Sequence, residues 1–327
     1  MLTKTLDSTD FKVLYELDKS FRQSYTSIGK NVGISKQSVK IRIDKLVESC
    51  IIKKFVTVIN MANFGIIPNQ IYISFHSSSE KRKNEFIDYL LNEKNIPQVT
   101  LCEGIYDLFF GITGTNIYEI EEVLSSIFTK FSDIIKDKKI TIMTDTRLFP
   151  RNYLINKNRE IIPQDKGFHI KKFERFDIKN IDNKILILLC KNPRMQVIDI
   201  ASELKSPVQT IINRIKFLEK TGIIRGYMYL LNEKIMIQHN ILLELSSMGE
   251  NIDNKLLQYL SSCKNVIFIV KYFGEYNFSI TTECKDFNEH RMFCDNFKKE
   301  FTSYIKSFIP LFIHDIKKMD MLPPNIR

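Results

Sequence analysis

The 327 residues predict an α+β fold: two tandem copies of a helix-turn-helix domain, each followed by a ferredoxin-like βαββαβ domain. Two observations carry this expectation. The first is an internal duplication. At a constant offset of 172, Ile28, Gln37, Arg42, Ile43, Leu46, Ile51 and Ile52 recur as Ile200, Gln209, Arg214, Ile215, Leu218, Ile223 and Ile224. After a slip to an offset of 170, Ile71, Tyr89, Leu90, Gly104 and Tyr106 recur as Ile241, Tyr259, Leu260, Gly274 and Tyr276. The second is a change of hydrophobic period inside each copy, from helical spacing to short apolar strand-like runs.

Each front part, 6–55 or 178–227, reads as three short helices. Apolar residues fall three or four apart at Val13, Leu14 and Leu17, then Ile28 and Val32, then Val39, Ile43 and Leu46. Gly33 suits the left-handed residue that ends a helix, and Ser35 suits the cap of the next. In the second copy Ser206 takes the capping role, with Pro207 in the first turn and Gln209 closing a capping box.

The rear part of copy one reads strand (71–75), helix (81–94), strand (99–104), strand (107–113), helix (116–131), strand (139–146). That order is the split βαβ arrangement, and 241–318 repeats it. The expected domains are 1–60 and 178–232 for the helix-turn-helix units, and 61–149 and 233–327 for the ferredoxin-like units. Residues 150–177, with Pro150, Pro163 and Gly167, form an irregular linker.

The net charge of +10 fits an acidic partner such as nucleic acid. The charge is concentrated: residues 27–55 carry seven Lys/Arg against only Asp44 and Glu48. Six scattered cysteines without C-x-x-C spacing argue against zinc and for thiols in a reducing cytoplasm, where the protein is expected to reside. The longest apolar run, ILILLC (185–190), is too short to cross a bilayer, so no membrane partner is expected. Histidines 76, 169, 239, 290 and 314 are scattered, and neither a Gly-rich phosphate loop nor G-x-S-x-G occurs. Neither catalysis nor a cofactor is expected.

Two helices joined by a short turn containing Gly suggest a DNA reader. Burying Val39, Ile43 and Leu46 leaves Lys36, Gln37 and Lys40 outward, where lysines meet phosphate or guanine and Gln37 meets an adenine edge. The alternative for such lysines is an ordinary solvated helix face.

The segments D-x-KVL (10–14), IGK-x-x-GIS-x-x-x-V-x-x-RI-x-x-L (28–46), IIK-x-F (51–55) and Asn60 closely resemble the Lrp/AsnC transcriptional regulators. The rear module is also similar to that family's effector and assembly domain, down to the Gly-x-Tyr-Asp turn at 104–107. The resemblance implies that the helix beginning near Ser35 enters the major groove. It assigns Ser35, Lys36, Gln37, Ser38 and Lys40 to DNA, with Arg42 on phosphate and Lys45 from the same basic stretch. The second copy keeps Gln209, Thr210, Asn213 and Arg214, but Lys36 becomes Val208 and Lys40 becomes Ile212. Copy one is therefore expected to be the stronger reader. Copy two either binds weakly or buries its Val208/Ile212 face.

For the rear modules the resemblance implies a small-molecule effector, often an amino acid, near Gly104, Tyr106 and Asp107 and near Gly274, Tyr276 and Asn277. Asp107 would hold an ammonium better than Asn277. The purely structural reading is that Gly104 makes a tight hairpin and Asp107 bonds backbone amides. Family members usually pair as dimers, so this tandem is expected to mimic a dimer within one chain, with further homo-oligomers allowed. Siroheme decarboxylases share the two-part architecture, but KKFVTVIN (53–60) and RGYMYLLN (225–232) follow the regulator pattern. A third reading is an effector-binding or assembly protein with weak DNA affinity.

Overall fold

The computed structural model describes residues 6–76, 79–157, 166–169, 176–233, 235–246 and 249–326. The first repeat runs α1 (Ser8–Lys19), α2 (Tyr25–Val32), α3 (Lys36–Glu48), β1 (Ile52–Ile59), β2 (Ile67–Phe75), α4 (Glu80–Asn92), β3 (Gln98–Glu103), β4 (Leu108–Gly114), α5 (Ile117–Lys130) and β5 (Ile135–Leu148). A short strand, β6 (Lys166–His169), follows. The second repeat runs α6 (Asn180–Lys191), α7 (Val197–Glu203), α8 (Val208–Lys220), β7 (Ile224–Leu231), β8 (Ile237–Leu245), α9 (Glu250–Ser262), β9 (Val266–Phe273), β10 (Phe278–Cys284), α10 (Phe287–Phe301) and β11 (Ile305–Met319).

The helices of the first head start where the caps dictate. Asp7 accepts from the Asp10 amide at 2.7 Å, and Ser24 and Ser35 accept from the Ser27 and Ser38 amides, each at 3.1 Å. Gly33 closes α2 at φ 82°, a conformation that costs a side-chain-bearing residue. The second copy departs from expectation at its matching turn. Lys205 takes the left-handed conformation at φ 49°. Pro207, not Ser206, is the cap of α8, and no side chain caps it. Pro207 lacks a donor and fixes its own φ, so the turn closes without a hydroxyl.

The helical reading of the front parts missed β1 and β7. These strands pair antiparallel with each other, Phe55 opposite Tyr229 and Thr57 opposite Tyr227, and so join the two heads. Each reaches into the other head. Thr57 Oγ1 donates to the Leu189 carbonyl at 2.7 Å, and the Tyr229 hydroxyl donates to the Leu14 carbonyl at 3.0 Å. Val13, Leu14, Ile28, Val39 and Ile43 of one head and Ile185, Leu186, Ile211 and Leu218 of the other belong to a single buried core.

The rear modules close into one barrel. Its order is β2-β4-β3-β11-β8-β10-β9-β5, and β5 returns to β2. All eight pairings are antiparallel. Closure depends on two long strands that change partners midway. The first half of β5 pairs with β2 (Ile71 opposite Ile140) and the second half with β9 (Thr146 opposite Val270). In the same way β11 runs along β8 (Phe308 opposite Leu243) and then along β3 (Ile316 opposite Thr100). Helices α4 and α5 cover one outer flank through Phe86, Leu90, Ile120 and Ile127. Helices α9 and α10 cover the other through Leu256, Leu260 and Phe297. Each fully buried side chain of this size contributes about 1.5–3 kcal/mol.

Residues 150–157, read from the sequence as irregular linker, dock instead. They form a 3-10 turn (Asn152–Ile155), and β6 pairs with β5; residues 158–165 and 170–175 of the predicted linker lie outside the described residues. Arg151 anchors this segment. Its Nη1 donates to Asp18 of α1 at 2.6 Å, and its Nε and Nη2 grip Glu283 of β10 at 2.7 and 3.0 Å.

Candidate nucleic-acid interface

Helix α3 stands on Val39, Ile43 and Leu46, all at or below 2% exposure, and turns its opposite face to solvent. Ser35, Lys36, Gln37, Lys40 and Lys45 are exposed, and Ser38 is half-buried. The two serines also bond each other, Oγ to Oγ at 2.9 Å. Lys40 lies 3.5 Å from Asp44 in an exposed pair, an interaction worth little in water and readily exchanged for a phosphate. Gly29 sets the approach of α2 to this helix, because a Cβ there would lie 2.6 Å from the Ile34 carbonyl oxygen.

Arg42 is placed differently from the expectation. Its Nη1 donates to Asp10 Oδ1 at 2.6 Å and to Asp7 Oδ2 at 2.8 Å, tying α3 to the start of α1. Arg214 repeats this in the second head, with Nε donating to Asp182 Oδ1 at 2.6 Å and Nη2 to Oδ2 of the same carboxylate. Two carboxylates hold the Arg42 guanidinium above its ordinary range, while the Asp10 amide and Arg42 hold the Asp7 carboxyl below its own. Both arginines are recurrent struts of the head, each tied to a carboxylate of the first helix of its own repeat. Helical periodicity places them at the edge of the outward face, but their partners lie 32 residues earlier. Because Asp10 is only 4% exposed, Arg42→Ala should destabilise the chain by about 3 kcal/mol in urea denaturation. Lys36→Ala, with nothing buried, should leave the midpoint within about 0.5 kcal/mol of wild type.

Helix α8 presents a different face. Val208 is 41% exposed and Ile212 is half-buried. Gln209 and Asn213 are exposed but bonded to each other, Nε2 to Oδ1 at 3.0 Å, and Thr210 is half-buried.

The predicted effector residues sit where the repeats meet. Gly104 (φ 143°) lies against Pro310 and Leu311, and Gly274 (φ 150°) against Ile140 and Thr141, so each loop abuts the long final strand of the other repeat. The hydroxyls of Tyr106 and Tyr276 bond each other at 2.7 Å, and both side chains are buried. Asp107 Oδ2 accepts from the Phe75 amide at 2.7 Å, and Asn277 Oδ1 accepts from the Leu245 amide at 2.6 Å. The Asp-to-Asn exchange thus preserves one structural task, and these atoms are engaged before any ligand arrives. Among the described residues no group of three or more His, Cys, Asp or Glu could hold a metal ion, and no helix is long and apolar enough to cross a membrane.

Two helix-turn-helix heads on a shared core, carried by a barrel of paired βαββαβ modules, define a DNA-binding transcriptional regulator. The pattern of the winged helix-turn-helix DNA-binding family matches residues 6–53 and 178–225. An uncharacterised HTH-type transcriptional regulator of Pyrococcus abyssi is 31% identical over 110 residues, spanning 33% of this chain and 74% of that protein. The HTH-type transcriptional regulator LysM of Sulfurisphaera tokodaii is 28% identical over 122 residues, covering 37% of this chain and 84% of LysM. The siroheme decarboxylase NirDL is similar in fold along the tandem, with a TM-score of 0.59 over 95% of this chain and 93% of that one, at 13% identity. The chain belongs to the Lrp/AsnC family of HTH-type transcriptional regulators and carries the family unit twice.

Proposed function

We propose that this regulator is a single-chain counterpart of a dimer that reads DNA chiefly through its first head. The carrying observation is the contrast between the outward faces of α3 and α8: Lys36, Gln37, Lys40 and Lys45 on one, and Val208, Ile212 and a self-bonded Gln209–Asn213 pair on the other. In this reading α3 lies in the major groove with Ser35, Lys36, Gln37 and Ser38 toward bases and phosphates, and Lys40 and Lys45 on the backbone. Arg42 and Arg214 stiffen the heads. Thr210, Gln209 and Asn213 supply a weaker second contact.

The same reading makes the chain a non-enzyme. It is supported by the relatives matched in sequence, which are named HTH-type transcriptional regulators. An effector at the Gly104–Asp107 and Gly274–Asn277 loops would act on the joint between repeats, because each loop touches the other repeat's final strand. Further association of chains would present two copies of the strong head to half-sites about one helical turn apart.

The test is DNA affinity as a function of salt. Lys36→Ala/Lys40→Ala should lower affinity at least tenfold and reduce the slope of log K against log salt by about 2, one for each lost phosphate contact. Gln209→Ala/Asn213→Ala should change affinity by less than about threefold. If the lysine pair can be removed with no change in slope, the first head is not the main reader.

A further inference from the structure

We infer that the barrel interior is a binding site for a small neutral molecule, about one ring in size, that carries one carbonyl oxygen. An eight-stranded barrel of this kind is just wide enough to hold one small ligand, and this one is incompletely filled. Its cavity of about 150 Å³ matches the volume that admits benzene into a protein core. The site stands apart from the Gly104 and Gly274 loops and does not rest on the DNA reading.

The lining selects the chemistry. Met61, Met143, Met228, Met319 and Met321 converge on the cavity from separate segments of both repeats. Methionine is flexible and polarisable, so it closes over aromatic or branched surfaces of varied shape. Among the described lining residues only Arg151 is charged, and Asp18 and Glu283 hold its guanidinium. A zwitterionic amino acid would leave its ammonium and carboxylate unpaired there, so a neutral ligand is favoured.

One polar group marks the orientation. Gln70 of β2 is 3% exposed and lines the cavity, yet its Nε2 has no hydrogen-bond partner. The other end of this amide faces the Tyr272 hydroxyl at 3.5 Å, and Tyr272 bonds Tyr72 at 2.9 Å. Other barrel amides are occupied: Asn240 bonds Ser279 and Thr281, and Gln98 bonds Thr100. A buried donor without an acceptor is costly, and a ligand carbonyl in the cavity would satisfy it.

The test uses the full chain with 13C-methyl-labelled methionine. Titration with acetophenone should shift the five cavity methionines and leave Met195, on the head core, and Met292, 63% exposed on α10, unmoved. Cumene, which has the same number of heavy atoms and no carbonyl, should bind about tenfold more weakly, the worth of one hydrogen bond. Phenylalanine should not compete. In Gln70→Leu the two ligands should converge to within about twofold. The inference is overturned if saturating acetophenone leaves the five methyls in place or moves Met195 and Met292 equally. Tighter binding of phenylalanine overturns it as well. So does a tenfold preference for acetophenone that survives Gln70→Leu. Should that variant fail to fold, the wild-type titration and the acetophenone-to-cumene ratio still decide.

Discussion

Arg151→Met is expected to destabilise the folded chain by about 3–5 kcal/mol, read as a fall in the urea midpoint at pH 7. The guanidinium is 4% exposed and lies between Asp18, 6% exposed, and Glu283, fully buried. It grips Glu283 with two N–H groups, donates a third to Asp18, and sits over the Tyr229 ring at 4.7 Å. The Arg151 backbone amide also donates to Asp18, at 2.7 Å. Tyr153 and Gln238 complete the shell around Glu283. Removing the cation leaves two buried carboxylates facing an apolar side chain, and most of the cost is that stranded charge rather than the lost bonds. Two further variants separate these causes. Arg151→Lys keeps the charge and loses the fork, so it should recover only part of the loss. Adding Glu283→Gln to Arg151→Met removes one stranded charge and should recover more. The network joins the first head, the connector and the barrel, so the single variant should also weaken DNA binding under conditions where it remains folded. An unchanged midpoint for Arg151→Met would show that the network adds nothing to stability.

What was legible beforehand was the scaffold, and the reason is local. Helical spacing, the Gly33 turn and the repeat at 172 residues place α1–α3 and α6–α8, because each depends on neighbours within a few turns of chain. The joints were not legible. Strand β1 forms its sheet with β7, and no property of KKFVTVIN announces a partner more than 160 residues away. The change of partner midway along β5 and β11 is likewise set by packing across the repeats. The same distance explains Arg42, whose outward placement in the helix pattern says nothing of Asp10. Tyr106 and Tyr276 recur at the offset of 170, yet only closure of the barrel brings their hydroxyls together. The cavity follows from that closure too. Its methionines are scattered along the chain with no spacing that would group them.

Acid should unfold this protein earlier than its carboxylates alone would require. His239 of β8 and His290 of α10 stack face to face, with ring centroids 3.4 Å apart and planes within 7°. Both are buried. Phe287 and Phe312 flank His239 edge-on, Thr282 lies opposite it on β10, and the Cys294 thiol lies 3.3 Å from His290 Nε2. Burial, with the second imidazole beside it, pushes His239 down to about 4, and burial also lowers His290. In the unfolded chain both return to about 6.5. Between those values the unfolded state binds protons that the folded state refuses. The contribution is therefore complete above about pH 6.5 and is lost as pH falls toward 4. For His239 alone the loss should reach about 2 kcal/mol at pH 5, before most carboxylates titrate. His239→Phe keeps an aromatic ring against His290 and Phe312 without a basic nitrogen. Its urea midpoint should vary much less between pH 7.5 and pH 5 than that of wild type. A wild-type midpoint that stays level across this interval would mean the stacked pair already accepts a proton in the folded barrel.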